Sequence, residues 1–237
     1  MVFKKCVAEF IGTFLLCYVG IGAVLQNNNP VSSPIIFVCL IVGLASGFGP
    51  ISGCHLNPSV SLAFFLNGQM KLKDLICYFI SQFTGAYCGF LFLYQFLKSL
   101  KNKVKDLACN VYGELSPTNI HVLSAFLFEA FITCFFVYVI LVNCHKKEAP
   151  FIIAFTIGAI SYLGGNLTGG SMNPARSLAP ALIMGGAALK QVWLFMIAPL
   201  VGSCGSVLLY RYFFSKSEQK IKEKDEEELM EINNTKA

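Results

Sequence analysis

Two short stretches of this 237-residue chain carry groups that could act on a solute. Residues 55–61 read His-Leu-Asn-Pro-Ser-Val-Ser, and residues 171–177 read Ser-Met-Asn-Pro-Ala-Arg-Ser. Asparagine is a favoured helix N-cap, and proline suits the first helical position because its missing N–H is not needed there. The spacing predicts one helix opening at Asn57-Pro58-Ser59 and another at Asn173-Pro174-Ala175. Two helix N-termini aimed at one place make a region of positive potential, about half a charge each. The Asn57 and Asn173 amides add donors for a passing oxygen. A neutral molecule with lone pairs can be handed across such a place. A cation, including a hydrated proton, meets the dipoles and finds no ligands to replace its water. Arg176, one turn beyond Asn173, reads as lining a narrow constriction and repelling cations. The alternative is a structural arginine tied to loop carbonyls.

Glu9 and Glu129 are further charges inside apolar runs, and such residues are functional candidates by default. Their symmetric positions predict that each accepts hydrogen bonds from the Asn-Pro loop of its own half. A proton relay is the alternative. His55 reads as a pore-side brace of the loop backbone, with a packing role as the alternative.

The elements that must hold these residues are membrane helices. The chain is 55% hydrophobic and 13% charged, with a mean hydropathy of +0.64; soluble domains run nearer a quarter charged. A bilayer core needs about 20 apolar residues per helix. Six candidates lie at about 6–26, 34–50, 73–97, 120–144, 150–166 and 190–214. The segments 57–67 and 173–185 are too short to cross. They read as half-helices starting mid-membrane, where irregular backbone is tolerated only if buried in protein or lining a watery cavity.

The order span, span, half-helix, span occurs twice. Glu9, Thr13, Tyr18 and Val19 recur 120 residues later as Glu129, Thr133, Tyr138 and Val139, and Asn-Pro recurs after 116. Each half has three crossings, so the second enters from the opposite side. The fold expected is an all-α membrane protein of six transmembrane helices and two re-entrant half-helices. It forms one channel domain, 1–214, with inverted repeats at about 6–97 and 120–214. Such folds place their site at the midplane between the repeats.

Lys4, Lys5, Lys71, Lys73, Lys146, Lys147, Arg211 and Lys216 would share one side, which favours a cytoplasmic N-terminus by the positive-inside rule. Lysines at 98–105 argue the other way. The first span reads as retained, since Glu9 interrupts it and no cleavage site follows. The segment 215–237 reads as a charged cytoplasmic tail. Asn166 and Asn233 head glycosylation patterns that are expected to go unused. Ten cysteines form no Cys-x-x-Cys pair and read as packing residues. Gly12, Gly43, Gly47, Gly85, Gly158, Gly202 and Gly205 read as close-packing positions.

Residues 52–61 and 169–177 resemble the two signature loops of the aquaporins, the major intrinsic proteins. Ala8-Glu9-Phe10 and Gln82-Phe83-Thr84-Gly85 fit the same pattern, and the resemblance covers about residues 6–214. It implies a pore in every protomer of a homotetramer. It also implies a selectivity filter of Phe37, Ser161, Gly170 and Arg176. Phe37 matches water-specific members, but Ser161 stands where they carry histidine. Gly170 stands where glycerol channels carry a second aromatic. The second loop looks closest to plant vacuolar-type members. Serine and glycine are small, so the filter is expected to be wider than a strict water pore. Gly170 also replaces the cysteine of mercury-sensitive relatives, leaving Cys54 as the candidate thiol.

The function implied is passive conduction of water, with exclusion of protons and ions and passage of small neutral solutes. A pore mainly for glycerol, urea, ammonia or hydrogen peroxide is the alternative. A proton-coupled transporter and a membrane-junction protein are readings of other classes. No metal-spaced cluster, nucleophile–base pair or cofactor loop appears, so no enzyme, metal site or cofactor is expected. No basic face suits nucleic acid. The expected partners are solutes, the lipid bilayer and copies of the chain. Nothing in the sequence marks a plasma over a vacuolar membrane.

Overall fold

The computed structural model describes residues 2–26, 32–99 and 107–214. The charged segment 215–237, with Asn233, lies outside the described residues, as do Lys101, Lys103 and Lys105. Every long apolar run is helical. The first span joins α1 (Val2–Leu15), a π-helical segment (Leu16–Ile21) and α2 (Gly22–Gln26). It begins at Val2, so Lys4 and Lys5 lie within its first turns. The wider π segment brings Gly20 against the Phe37 ring: a Cβ there would meet ring carbons at 2.9 Å.

The chain continues through α3 (Ser32–Ser52), half-helix α4 (Pro58–Leu66) and α5 (Leu72–Ser99). The second half repeats the order as α6 (Val122–Asn143), α7 (Ala149–Gly164), half-helix α8 (Pro174–Met184) and α9 (Gly186–Phe213). Five helices among the described residues are long and apolar enough to cross a bilayer. The sixth, α7, has 16 residues. It is about 24 Å long, and the turn at 165–168 carries the chain onward from its end.

Glycine sets the closest contacts. α1 packs on α5, and α6 on α9. A Cβ at Gly85 or Gly89 would run into the carbonyl of Phe10 or Phe14, and one at Gly202 into that of Ala130. These pairs are backbone against backbone, the approach that small residues permit in membranes. Gly12, Gly158 and Gly205 likewise sit against Leu56, Val38 and Cys134. Gly43 and Gly47 depart from the expectation, because a Cβ at either meets nothing among the described residues within 4 Å. Both lie on the outer face of α3.

The half-helices are held partly by the opposite repeat. Val60 and Ala63 of α4 pack with Ile132, Phe136 and Val137 of α6. Ala175 and Ala179 of α8 pack with Cys17, Ala86 and Phe90 of the first half. Polar side chains share the interior with these apolar clusters: Glu9, Gln82, Glu129, Thr133 and Ser203 are fully buried. Phe131, Phe155 and Leu208 are 71%, 65% and 69% exposed on the outside. That apolar exterior suits lipid as the surrounding solvent, since backbone groups are satisfied within helices and apolar side chains need no cover.

Candidate functional site

The two Asn-Pro loops share one backbone path. Gly53, Cys54 and Leu56 have φ of 81°, 50° and 51°; Gly169, Gly170 and Met172 have 81°, 55° and 52°. Glycine tolerates this left-handed region, whereas Cys54, Leu56 and Met172 are strained there. Such strain persists when the surroundings over-determine it, and here the two buried glutamates do so.

Glu9 accepts from the Ser52 hydroxyl at 2.7 Å, from the N–H groups of His55 and Leu56 at 2.9 and 2.7 Å, and from the Gln82 amide at 2.8 Å. Glu129 accepts from the Thr168 hydroxyl at 2.5 Å and from the N–H groups of Ser171 and Met172 at 2.9 and 3.1 Å. The loop donors stand at matching positions before each asparagine, while Gln82 adds a bond to Glu9 from α5. Both carboxylates face the loop of their own half and are spent on holding it.

Each asparagine caps its half-helix. Asn57 Oδ1 accepts from the Ser59 N–H at 2.8 Å. Asn173 Oδ1 accepts from Ala175 and Arg176 at 3.0 and 3.3 Å. Pro58 and Pro174 follow at the first helical position. The amide nitrogens do something spacing alone did not reveal. Asn57 Nδ2 donates to the Met172 carbonyl at 2.9 Å, and Asn173 Nδ2 to the Leu56 carbonyl at 2.8 Å. A side-chain amide has two N–H groups, so each keeps a second one beyond the cross-link.

His55 lies beside Asn57 with Nδ1 3.1 Å from the Ser61 hydroxyl and its ring 4.4 Å from that of Phe64. It is braced through its backbone and ring, and it also lines the cavity. Ser59 leaves the Asn57 cap intact. Its Oγ is buried without a hydrogen-bond partner among the described residues, while its carbonyl accepts from Ser203 at 2.6 Å.

A cavity of about 1180 Å³ joins these groups. It has Cys144, Lys147 and Pro150 towards one end. It passes His55, Asn57 and Asn173, meets Phe37, Ser161, Gly170 and Arg176, and reaches Tyr162 and Asn166. The four filter candidates therefore share one wall system. Cys54, Cys109 and Cys144 all line it, so Cys54 is not the sole thiol facing the cavity.

Arg176 combines the two readings open from its sequence position. It lines the cavity, and its guanidinium also donates to the Ala108 carbonyl at 3.2 Å and to Asn110 Oδ1. Asn110 went unnoticed in the sequence because it lies in a connection without periodicity or motif. The equivalent turn of α4 carries Val60, so the positive side chain belongs to one half only.

An inverted pair of helical repeats with capped half-helices meeting inside a lined cavity is the architecture of a membrane channel. The family model that matches this chain is that of the major intrinsic proteins, over residues 1–210, and the chain belongs to this family of channels. It is similar to Aquaporin Z of Rhodopseudomonas palustris, 36% identical over 221 residues, covering 88% of this chain and 92% of that protein. It is also similar to the glycerol uptake facilitator protein-like 6 of Lactiplantibacillus plantarum, 35% identical over 206 residues, covering 84% and 93%. Its fold matches the X-ray structure of the aquaglyceroporin from Plasmodium falciparum with a TM-score of 0.79 at 23% identity, covering 89% of this chain and 96% of that one.

Proposed function

We propose that the chain conducts water passively and also passes small neutral solutes of the size of glycerol or urea. The observation that carries this reading is the single cavity that passes both asparagines and has Phe37, Ser161, Gly170 and Arg176 on its wall. Solutes meet the free amide N–H groups of Asn57 and Asn173 at the meeting point of α4 and α8. Cations and protons are refused there by the two helix N-termini and, at the filter, by Arg176. Ser161 and Gly170 contribute little bulk, which supports a solute list wider than water. Relatives named as an aquaporin and as a glycerol facilitator are similar to it at nearly equal identity.

Membership of the family also supports a homotetramer with a pore in each copy. The lysine pattern supports a cytoplasmic N-terminus, with the Lys146–Lys147 mouth inside and the Arg176 mouth outside. The connection before α6 buries Leu107, Asn110 and Ser116 and puts Ala108, Cys109 and Val111 on the cavity wall, which favours a channel over a junction protein displaying that loop. The test is stopped-flow light scattering on proteoliposomes challenged with glycerol. Fast shrinkage followed by accelerated re-swelling is the expected result. Shrinkage no faster than in empty vesicles would overturn the channel reading, and re-swelling no faster would overturn the wide filter.

A further inference from the structure

The filter arginine is held by a side chain that comes from neither half-helix. Asn110 is 3% exposed. Its Oδ1 accepts from the Arg176 guanidinium and, at 2.7 Å, from the Ser177 hydroxyl. Its Nδ2 donates to the Thr168 carbonyl at 2.9 Å. Thr168 in turn donates its hydroxyl to Glu129. A continuous run of buried hydrogen bonds thus leads from the Glu129 carboxylate to the guanidinium, and Asn110 is the link that touches it. Gly169 leaves the room for this: a Cβ there would lie 2.7 Å from Asn110 Nδ2. In the first half Gln82 donates instead to Glu9 and Ser61, and Val60 stands where Arg176 does.

We propose that Asn110 is a positioning residue that fixes where the Arg176 guanidinium stands in the pore and so sets the size limit for neutral solutes. The inference rests on the constriction at Arg176 proposed above. A guanidinium is long and rotatable, and its stem costs conformational entropy to hold. The Ala108 carbonyl fixes it at one point. The Asn110 oxygen accepts from the same Nη1 atom and so helps to fix the direction in which that nitrogen points. With that oxygen removed, the guanidinium can swing towards Ala108 and the opening beside Ser161 and Gly170 widens.

The experiment compares wild type with Asn110→Ala and Asn110→Asp in proteoliposomes, reading water and glycerol permeability on the same vesicles. A merely structural loss lowers the number of working pores and scales both fluxes together, so the glycerol-to-water ratio is the diagnostic. Asn110→Ala is expected to raise the ratio about fivefold or more, as a filter that has lost its fixed geometry would. Asn110→Asp keeps an acceptor for Arg176 and Ser177 and is expected to stay within about twofold of wild type. If Asn110→Ala does not reconstitute, Asn110→Ser is read in its place, since its hydroxyl is too short to reach the guanidinium. An unchanged ratio in the variant that reconstitutes overturns the proposal. So does a ratio raised as much in Asn110→Asp. Wild-type vesicles that conduct neither solute would instead overturn the channel reading, before any variant is considered.

Discussion

Asn57 and Asn173 each donate an amide hydrogen to the carbonyl of the residue that precedes the other, at 2.9 and 2.8 Å. The reciprocal bond ties two loops that are more than a hundred residues apart in sequence. It also aims both asparagines: with the oxygen used as a cap and one hydrogen used across the junction, the second hydrogen has a fixed direction. The donors proposed to meet a solute are therefore oriented before it arrives, the condition for a preorganised polar site.

Asn173→Ala should remove a cap and leave the Leu56 carbonyl buried without its donor. A lost cap costs about 1 kcal/mol and an orphaned buried acceptor about 1–3. The expected result is a clear fall in thermal stability in detergent together with loss of water conduction. Asn57→Ala should behave alike, since the geometry is mirrored.

Glu9→Gln and Glu129→Gln separate the scaffold role from a proton relay. An amide presents an N–H towards donors that the carboxylate now accepts, and an unsatisfied buried group costs roughly 1–3 kcal/mol. Both variants should lose stability and yield fewer conducting pores. Wild-type flux should show no dependence on a pH gradient; flux driven by one would favour the relay.

Gly85→Ala and Gly202→Ala should be severe, because the added methyl meets backbone carbonyls of α1 and α6 that cannot move aside. Overpacking of this kind costs about 1–3 kcal/mol or more. Gly47→Ala has open space among the described residues and should leave the melting temperature of the isolated protomer unchanged or higher. The comparison is made by thermal unfolding.

Ser161→His adds a ring to the filter wall. Glycerol flux should fall about tenfold while water flux changes far less, as expected when pore width sets selectivity. The measurement is the re-swelling rate in glycerol against the initial shrinkage rate.

Mercury should slow water exit, and Cys54→Ser alone should leave part of the block, because Cys109 and Cys144 also face the cavity. Removal of all three thiols should abolish it. Complete protection by Cys54→Ser alone would show that the other two are out of reach.

Much of this molecule is readable from residue order because its determinants are local. Asn-Pro announces a helix start wherever it stands, and the structured half-helices Pro58–Leu66 and Pro174–Met184 begin one residue after each asparagine. The paired glutamates could be matched to the loops because a buried carboxylate must find donors and both sit at equivalent repeat positions. Asn110 could not be found this way. Its importance comes from a connection folding back over Arg176, 66 residues away, and nothing in its neighbours signals that approach. The crossed asparagine bonds are equally non-local. Gly43 and Gly47 show the reverse error: a small residue in an apolar run suggests a close neighbour, yet no described residue supplies one.

The support of α4 has a consequence in time. Its Ser59 carbonyl is bonded by Ser203, and the Leu66 carbonyl at its far end by Arg211, residues 144 and 145 places later. The Leu56 carbonyl waits for Asn173, 117 places on. During synthesis at about 5–20 residues per second, the first half-helix would stand for several seconds or longer without these partners. The first half-helix is thus made early and finished late, completed by the final helix to leave the ribosome among those described.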